Sequence, residues 1–497
     1  MEFLDVLSPI IVFVSASFLT IPVVKTTRKV KHRKNLFKIC WFSAVFIAAI
    51  IAVANLTVKY YAHESSQPFL TLTLTSASFT TFSSAFLIDA VSIYMAIIFT
   101  FVSAVIFAYI LFYIDSEEKL SERYYAIILI TVGCVIGTVF AGDFLTLFIF
   151  WEVTAASASF LMLYYKTPKS IHATLKYLVM VIIASAFIIY SLSIIYALTG
   201  TLNFWAAKQA LMQLEDKHLL EIAFAFMATG YSIEAAVVPF HLWLPDAYTA
   251  APASSSAFLS AIVDQASYYV LLRVLIYILS PPTVLPWTLM FAVLSALTMI
   301  LGNLLALTEN NVKRLISYIC ITDVGYNLMA ITSATPLGTM GNLFFFLTGG
   351  ITTALAFMIV GIFNKMGLQT LEDFQGVSRK MPITSLALML AAFSFAGVPS
   401  LAGFIAKYMV FTSAIEGNLS WLAVIGVLTS VLQAAYLLRL INYMYAKKPV
   451  EETKIKEPKA LLIPILIFVA VIIVLGLYPT IVLNLIDPII QQLPLMP

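Results

Sequence analysis

Long apolar stretches alternate with short polar ones along most of the chain. A helix needs about 20 apolar residues to cross a hydrocarbon core about 30 Å thick. On this scale we predict about fourteen membrane spans, at residues 3–24, 36–56, 84–114, 124–142, 143–163, 171–199, 219–240, 254–280, 284–307, 313–332, 338–363, 382–416, 419–446 and 459–481. The pattern therefore predicts an all-α polytopic membrane protein.

The composition supports this prediction and excludes other classes. Of the 497 residues, 61% are apolar and 11% are charged, which is more apolar than a soluble fold could cover with a polar surface. The net charge of +3 is small and its basic residues lie in short loops, so no nucleic-acid partner is expected. Cys40, Cys134 and Cys320 are isolated and show no disulfide, iron–sulfur or metal spacing. We expect no metal or cofactor in this chain.

Basic residues predict the orientation. The loop at residues 25–38, KTTRKVKHRKNLFK, is the most basic in the chain and should be cytoplasmic. With the predicted spans, both termini then lie on the external side of the cell membrane. The basic loops YYKTPKSIHATLK, ENNVKR and YAKKPVEETKIKEPK also fall inside, whereas the loop at 115–123 is an acidic exception.

Two segments between the spans carry their own patterns. Residues 60–84 include FLTLTLTSASFTTFSS, in which apolar and hydroxyl residues alternate with the period of a strand, so we predict an external hairpin. Residues 202–214 are too short and too polar to cross, and we predict an interfacial helix anchored by Trp205.

Two helices are predicted to be broken inside the membrane. In GYSIEAAVVPFHLWLPDAYTAAP, Glu234 precedes Pro239, and a polar elbow containing His241 follows. In LAAFSFAGVPSLAGFIAKYMVF, Pro399 is flanked by glycines and followed by Lys407. Proline removes a helical hydrogen bond, and a break in hydrocarbon is tolerated only against protein or a watery cavity. His241 is interpreted as a residue that orders the loop or relays protons.

The breaks occupy matching places in two predicted units of five helices. The division is 1–123 for an N-terminal three-helix region, 124–280 for the first unit, 284–446 for the second, and 447–497 for a C-terminal helix and tail. Because five is odd, the two units run in opposite directions. Matching breaks in inverted repeats indicate a transport path near the middle of the membrane.

Helical rise places several ionisable residues near the same depth. At about 1.5 Å per residue, the ten-residue steps from Asp143, Ser254 and Lys313 end about 15 Å into the membrane. Those steps reach Glu152, Asp264 and Asp323, and Lys407 lies at a similar depth. Intramembrane ionisable residues are functional candidates by default. The full candidate path is Glu152, Glu234, Lys407, Lys176, Asp264, Gln265 and Asp323.

These motifs resemble a known family. VVPFHLWLPDAYTAAPASSSAFLSA, followed by YYVLLR, is its most specific part, with support from FWE at 150–152, LKY at 175–177, NNVKRLISY and GVPSLAGFIAKY. The family is the antiporter-like membrane subunits of respiratory complex I, Mrp-type cation/proton antiporters and membrane-bound hydrogenase or ferredoxin-dependent sulfur reductase complexes. The resemblance implies a fourteen-helix ion-translocating subunit built from two inverted five-helix units.

The family's residues match this chain only in part. Its buried glutamate corresponds to Glu152, and its ionisable residue after the second break corresponds to Lys407. Its lysine before the first proline is replaced by Glu234, and its lysine on the next helix by Gln265. Its histidine on the tenth span falls near Asp323, and two further basic positions fall on Gly349 and Thr353.

The replacement at Glu234 changes the chemistry expected of the path. A carboxylate beside a lysine forms an ion pair, whereas two facing carboxylates cannot both ionise without cost in a low dielectric. If Glu152 and Glu234 adjoin, they could share a proton, pass protons, or coordinate sodium through oxygen ligands. They could also belong to a disabled channel.

Three functions are therefore open. The first is an antiporter-like, ion-translocating subunit of a redox-driven complex related to complex I, of the membrane-bound hydrogenase or ferredoxin-dependent reductase type. The second is a subunit of an Mrp-type sodium/proton antiporter, and the third is a translocation-inactive scaffold. The expected partners are other membrane-arm subunits, a peripheral redox module, membrane lipid, protons and sodium ions. Iron–sulfur clusters or a nickel–iron site are expected only in partner subunits, and no redox catalysis is expected in this chain.

Overall fold

The computed structural model describes residues 3–29, 34–62, 70–74, 84–114, 120–279, 284–448 and 457–492. Its first elements are α1 (Phe3–Lys29), α2 (Lys34–Tyr61), β1 (Leu70–Leu74), β2 (Ser84–Ile88), α3 (Ala90–Tyr113), α4 (Ser121–Phe140), α5 (Phe144–Met162) and α6 (Pro168–Thr199). The next are α7 (Phe204–Met212), α8 (His218–Glu234), α9 (Leu244–Ala250), α10 (Ala253–Phe258), α11 (Asp264–Leu272), α12 (Thr288–Thr308), α13 (Val312–Thr332) and α14 (Pro336–Lys365). The last are α15 (Val377–Lys380), α16 (Pro382–Ala396), α17 (Ala402–Glu416), α18 (Ser420–Tyr445), α19 (Lys459–Leu477) and α20 (Thr480–Gln492).

The fold is a bundle of apolar helices, which confirms the predicted all-α membrane architecture. Within the described residues, 12 helices are long and apolar enough to cross a membrane. One of them, Ala253–Ile278, joins α10 to α11 through the π-helical turn Leu259–Val263 and ends in a second π-helical turn, Arg273–Ile278. The other two predicted spans, 219–240 and 382–416, contain the breaks. The count of fourteen, the inverted repeats and the four-part division stay predictions.

The hairpin lies where the alternating pattern predicted one, but it extends further along the chain. β1 pairs with β2 in antiparallel register, with Leu70 opposite Ile88. The predicted third span was therefore wrong at its start, because residues 84–88 form a strand and the helix begins at Ala90. Asp89 sets this boundary, since its side chain accepts a hydrogen bond from the Ser92 N–H and caps α3. The hairpin turn lies outside the described residues.

The short helix α7 occupies the segment predicted to be interfacial. Asn203 caps it by accepting hydrogen bonds from the backbone of Trp205 and Ala206. Phe204 and Leu211 are buried against the bundle, whereas Trp205 is 49% exposed. Its helical structure agrees with the prediction, and its position at the membrane surface stays a prediction.

The two halves of the chain meet in the centre of the bundle. Helices α13 and α14 are buried along their whole length, and Ala253–Ile278 is nearly so. By contrast, α1, α2 and α6 expose most of their apolar surface, which is the expected behaviour of helices that face lipid or a partner. The centre carries the polar side chains described below.

Candidate ion-translocation site

The first break opens earlier than the sequence indicates. Helix α8 ends at Glu234, and Ala236 adopts a left-handed conformation with φ of 53°, so the helix stops before Pro239 is reached. A 3₁₀ turn, Phe240–Trp243, then leads into α9. The Trp243 indole N–H donates to the carbonyl of Ile233 at 3.0 Å and so pairs one of the carbonyls left free at the end of α8. Predicted span 219–240 is therefore a helix only up to Glu234.

The second break has the same form. Helix α16 ends at Gly397, which adopts a left-handed conformation with φ of 75°, and α17 begins at Ala402. Ser400 is also left-handed, with φ of 75°. The predicted break at Pro399 lies between these two left-handed positions, of which only Ser400 is strained. The Lys407 side chain rises from the second turn of α17.

Close packing at this break requires glycine at position 403. A Cβ atom added to Gly403 would lie 2.0 Å from the carbonyl oxygen of Ser394. We expect Gly403→Ala to push α16 and α17 apart and to cost about 1–3 kcal/mol of stability, as overpacking does. The measurement is thermal unfolding of the purified protein. Gly341→Ala is the control, because its nearest atom would be the Met409 Cβ at 3.1 Å. Equal melting of the two variants would contradict this prediction.

A row of polar side chains runs through the centre of the bundle and is described below one group at a time. Two glutamates form its first part. Glu152 on α5 is half-buried and accepts a hydrogen bond from the Ser185 hydroxyl at 2.6 Å. Glu234, at the end of α8, is buried, and its carboxylate interacts electrostatically with that of Glu152. The indole N–H of Trp151 faces Glu234 but does not complete a hydrogen bond. The two predicted carboxylates are thus neighbours, with one Glu234 oxygen left unpartnered.

The middle of the row is formed by two aspartates. Asp264 accepts a hydrogen bond from the Tyr248 hydroxyl at 2.5 Å, and it follows directly after the π-helical turn Leu259–Val263. Asp323 on α13 is buried and interacts electrostatically with Asp264. Each aspartate keeps one buried oxygen without a partner. The Gln265 amide donates to the Ser260 carbonyl at 3.3 Å, its Oε1 is buried without a partner, and its role in the path stays a prediction.

Lys407 closes the row. Its Nζ donates to the Phe395 carbonyl at 2.6 Å, to Ser430 Oγ at 3.0 Å and to Gln433 Oε1 at 2.6 Å. It also lies over the ring of Tyr326, 4.6 Å from the centroid. Its charge interacts with that of Asp323. The carbonyl left open at the end of α16 therefore positions the predicted lysine.

Tyr177 bridges the two parts of the row. It is buried on α6 and interacts electrostatically with Glu152, Glu234 and Asp264. The order along the row is thus Glu152, Glu234, Tyr177, Asp264, Asp323 and Lys407. These six groups come from six separate helices, so the fold and not local sequence brings them together.

Lys176 and His241 lie beside the row near the elbow. Lys176 forms an ion pair with Asp246 at 2.7 Å, and Asp246 also pairs with Arg314 at 3.0 Å. The Lys176 side chain is 35% exposed. His241 is buried, its Nδ1 is unpartnered, and it interacts electrostatically with Lys176. A path role for Lys176 and a relay role for His241 stay predictions.

Several residues that complete this arrangement were not singled out from sequence. Tyr248, Tyr177 and Trp151 are aromatic residues in apolar segments, and nothing local distinguishes them from packing residues. Lys313 was used only as a depth marker, yet it is buried and donates to the carbonyls of Thr249 and Ala251 at the end of α9. The sequence signal that could have identified Lys313 is an ionisable residue inside an apolar run.

In the part of the chain that the structure describes, no group of three or more His, Cys, Asp or Glu side chains could hold a metal ion. The row offers carboxylates, hydroxyls and one ammonium group.

Comparison with known proteins gives this arrangement a family. Residues 141–433 match the NADH:quinone oxidoreductase/Mrp antiporter transmembrane family. The chain belongs to this family. It is 30% identical over 448 residues to F(420)H(2) dehydrogenase subunit N of Methanosarcina mazei, covering 86% of this chain and 88% of that protein. It is 33% identical over 376 residues to NADH-quinone oxidoreductase subunit N of Trichlorobacter lovleyi, covering 75% and 77%.

Solved structures of this family have the same fold. The archaeal membrane-bound sulfane sulfur reductase contains a chain that matches with a TM-score of 0.84 and 25% identity, over 97% of each chain. The Mrp complex of a Dietzia species contains one with a TM-score of 0.84 and 20% identity, over 99% of this chain and 98% of that one. The predicted family is therefore confirmed, and the protein is an antiporter-like, multi-pass membrane subunit.

Proposed function

We propose that this chain moves protons or another monovalent cation along the row from Glu152 to Lys407, as a membrane-arm subunit of a redox-driven complex related to complex I. The observation that carries the proposal is the continuity of the row. Each ionisable group interacts with the next, and all except Glu152 are buried. Buried charges are costly unless they serve a function or are fully paired.

Movement of one proton along the row would alter the neighbouring groups. If Asp323 takes up a proton, it stops stabilising the ammonium of Lys407, which then releases its own proton more easily. The unpartnered oxygen of Asp323 is available for such a proton. Because Asp264 also interacts with Asp323, the effect continues to the next carboxylate. Electrostatic coupling of this kind passes a signal through the membrane without large helix movements.

Both ends of the row reach the side of the bundle, where partner subunits would bind. A cavity of about 280 Å³ opens between α17 and α18 and is lined by Lys407, Ser430, Tyr408 and Val431. Tyr408 and Val431 are more than half exposed. At the other end, Glu152 is half-buried. We propose that neighbouring membrane-arm subunits cover these two surfaces.

The similarity to redox enzymes favours an electron-driven complex over an Mrp-type antiporter. The M. mazei relative is a dehydrogenase subunit, and the 25%-identical structure is a sulfur reductase subunit. In that setting a peripheral module would carry the redox chemistry and any iron–sulfur or nickel–iron centre. A cytoplasmic position for the basic loop at 25–38, with both termini outside, completes the proposal.

The middle of the row provides the test. We expect Asp323→Asn to lower redox-coupled ion uptake by about tenfold or more, because a positioned proton carrier is commonly worth about 100-fold or more in rate. Uptake is measured with the purified complex in proteoliposomes, while substrate turnover is followed in parallel. Asp487→Asn, at an exposed position on α20, is the matched control. Wild-type uptake by an assembled Asp323→Asn complex would leave the scaffold function instead.

A further inference from the structure

The first two carboxylates have oxygen-bearing neighbours on three helices. Helix α5 supplies Glu152, α6 supplies Ser185, and α8 supplies Glu234. Tyr231 precedes Glu234 by three residues, so the two side chains share a face of α8. The Tyr231 hydroxyl interacts electrostatically with both carboxylates. Oxygens from four side chains thus converge on one region.

Two of these groups are unpartnered although they are buried. The Tyr231 side chain is 3% exposed, and its hydroxyl has no hydrogen-bond partner. Glu234 is 6% exposed, and its Oε1 has none either. A buried polar group without a partner costs about 1–3 kcal/mol. Both groups would be satisfied by one cation located between the carboxylates, since a hydroxyl oxygen and a carboxylate oxygen are both ligands for it.

The charge balance is met by a shared proton or by a cation, and the two unpartnered oxygens favour the cation. Glu152 and Glu234 bring two negative charges close together, and Ser185 and Tyr231 bring none. Among the described residues, no Lys, Arg or His nitrogen forms an ion pair with either carboxylate. Trp151 presents only a neutral N–H towards Glu234. Two like charges in a low dielectric repel strongly unless a positive charge separates them.

The ligands select the kind of cation. Carboxylate and hydroxyl oxygens are hard ligands, and the pocket contains no thiolate or imidazole, so softer transition metals are disfavoured. Divalent cations usually take six or more oxygens and hold several waters. This site offers few protein oxygens. If one glutamate is protonated, the other carries a single negative charge, which a monovalent ion balances.

We propose that Glu152, Glu234 and the Tyr231 hydroxyl hold a sodium ion. This inference rests on the proposed transport function and names one of its ions. The half-buried Glu152 forms the open side of the site, where the ion enters from the flank of the bundle, and the buried Glu234 forms its closed end. Sodium here takes the position of the positive charge that the two carboxylates lack.

The test is equilibrium binding of radioactive sodium to the purified complex in detergent. We expect Glu234→Gln and Tyr231→Phe each to weaken one sodium site by tenfold or more, or to reduce the bound sodium by one ion per complex. Glu221→Gln, an exposed position in the first turn of α8, should bind sodium like the wild type. Potassium at the same concentration should not replace sodium.

Unchanged sodium binding in assembled Glu234→Gln and Tyr231→Phe complexes would overturn the proposal and leave a pair that shares a proton. Glu152→Gln removes the other carboxylate ligand and is measured if the Glu234→Gln variant does not assemble, and unchanged binding by that variant would also contradict the site. The Asp323→Asn measurement separates the two levels of inference. If Asp323→Asn loses ion uptake while Glu234→Gln and Tyr231→Phe bind sodium like the wild type, the transport function stands and the sodium site is rejected.

Discussion

Lys407→Ala should abolish ion uptake driven by substrate turnover, with a loss of about 100-fold, because we propose that the ammonium is the last proton carrier of the row. The side chain cannot be replaced by a neighbour. Its Nζ reaches three acceptors on two helices and lies over the Tyr326 ring, so truncation empties the centre of the second break. Uptake by proteoliposomes, normalised to electrons transferred, measures the effect.

The control for this variant is Lys169→Ala, an exposed lysine in the first turn of α6. It removes the same charge without touching the row, and we expect unchanged uptake. Lys407→Met tests whether the loss follows from charge or from packing, since Met fills most of the same volume. Normal uptake by Lys407→Met would show that the row does not need a positive charge at this end.

The two helix breaks show which features of the fold local sequence can predict. Pro239 and Pro399 marked both interruptions, because proline forbids the next helical hydrogen bond wherever it lies. The position where each helix ends was not predictable from proline alone. It depends on the left-handed residues Ala236 and Gly397. Only the glycine could be predicted to adopt that conformation from its residue type.

The partners in the row were less predictable than its members. An acid or lysine inside an apolar run is visible in sequence, and Glu152, Glu234, Asp264, Asp323 and Lys407 were all found that way. Their hydrogen-bond partners come from distant helices. Gln433 follows Lys407 by 26 residues. Such pairings depend on helix packing, which a single sequence does not display.

Helix α13 connects the row with the first break. Its first turn carries Lys313, which holds the last carbonyls of α9, and Arg314, which pairs with Asp246 in the first turn of α9. About three turns further along α13 lies Asp323. A shift of α9 at the elbow would therefore act on the helix that carries the middle carboxylate. This is a physical route by which a neighbouring subunit could influence the row.

A second large effect is expected where the hairpin end of the bundle is held together. Arg273 forms a bidentate ion pair with Asp89, at 2.5 and 2.8 Å, and its guanidinium lies over the rings of Tyr269 and Tyr277. The arginine side chain is 1% exposed. The pair joins the end of the long helix after the first break to the start of α3, next to the hairpin.

Removing one partner would leave a buried charge without compensation, which costs about 3–5 kcal/mol. Arg273→Met should therefore lower the unfolding temperature strongly. The reactivity of buried Cys134 and Cys320 towards a thiol reagent during heating, followed by peptide mass spectrometry, reports unfolding of this chain within the complex. Asp89→Asn should show a similar loss, although asparagine still caps α3.

The double variant Asp89→Asn/Arg273→Met decides whether the charge or the packing matters. Replacing both partners of a buried pair by neutral groups is often close to neutral in stability. We therefore expect the double variant to unfold at a higher temperature than Arg273→Met alone. If it unfolds at a lower temperature than Asp89→Asn alone, which keeps the guanidinium on Tyr269 and Tyr277, the stacking contributes more than the ion pair. In that case the aromatic rings, and not Asp89, anchor the long helix to the hairpin end of the bundle.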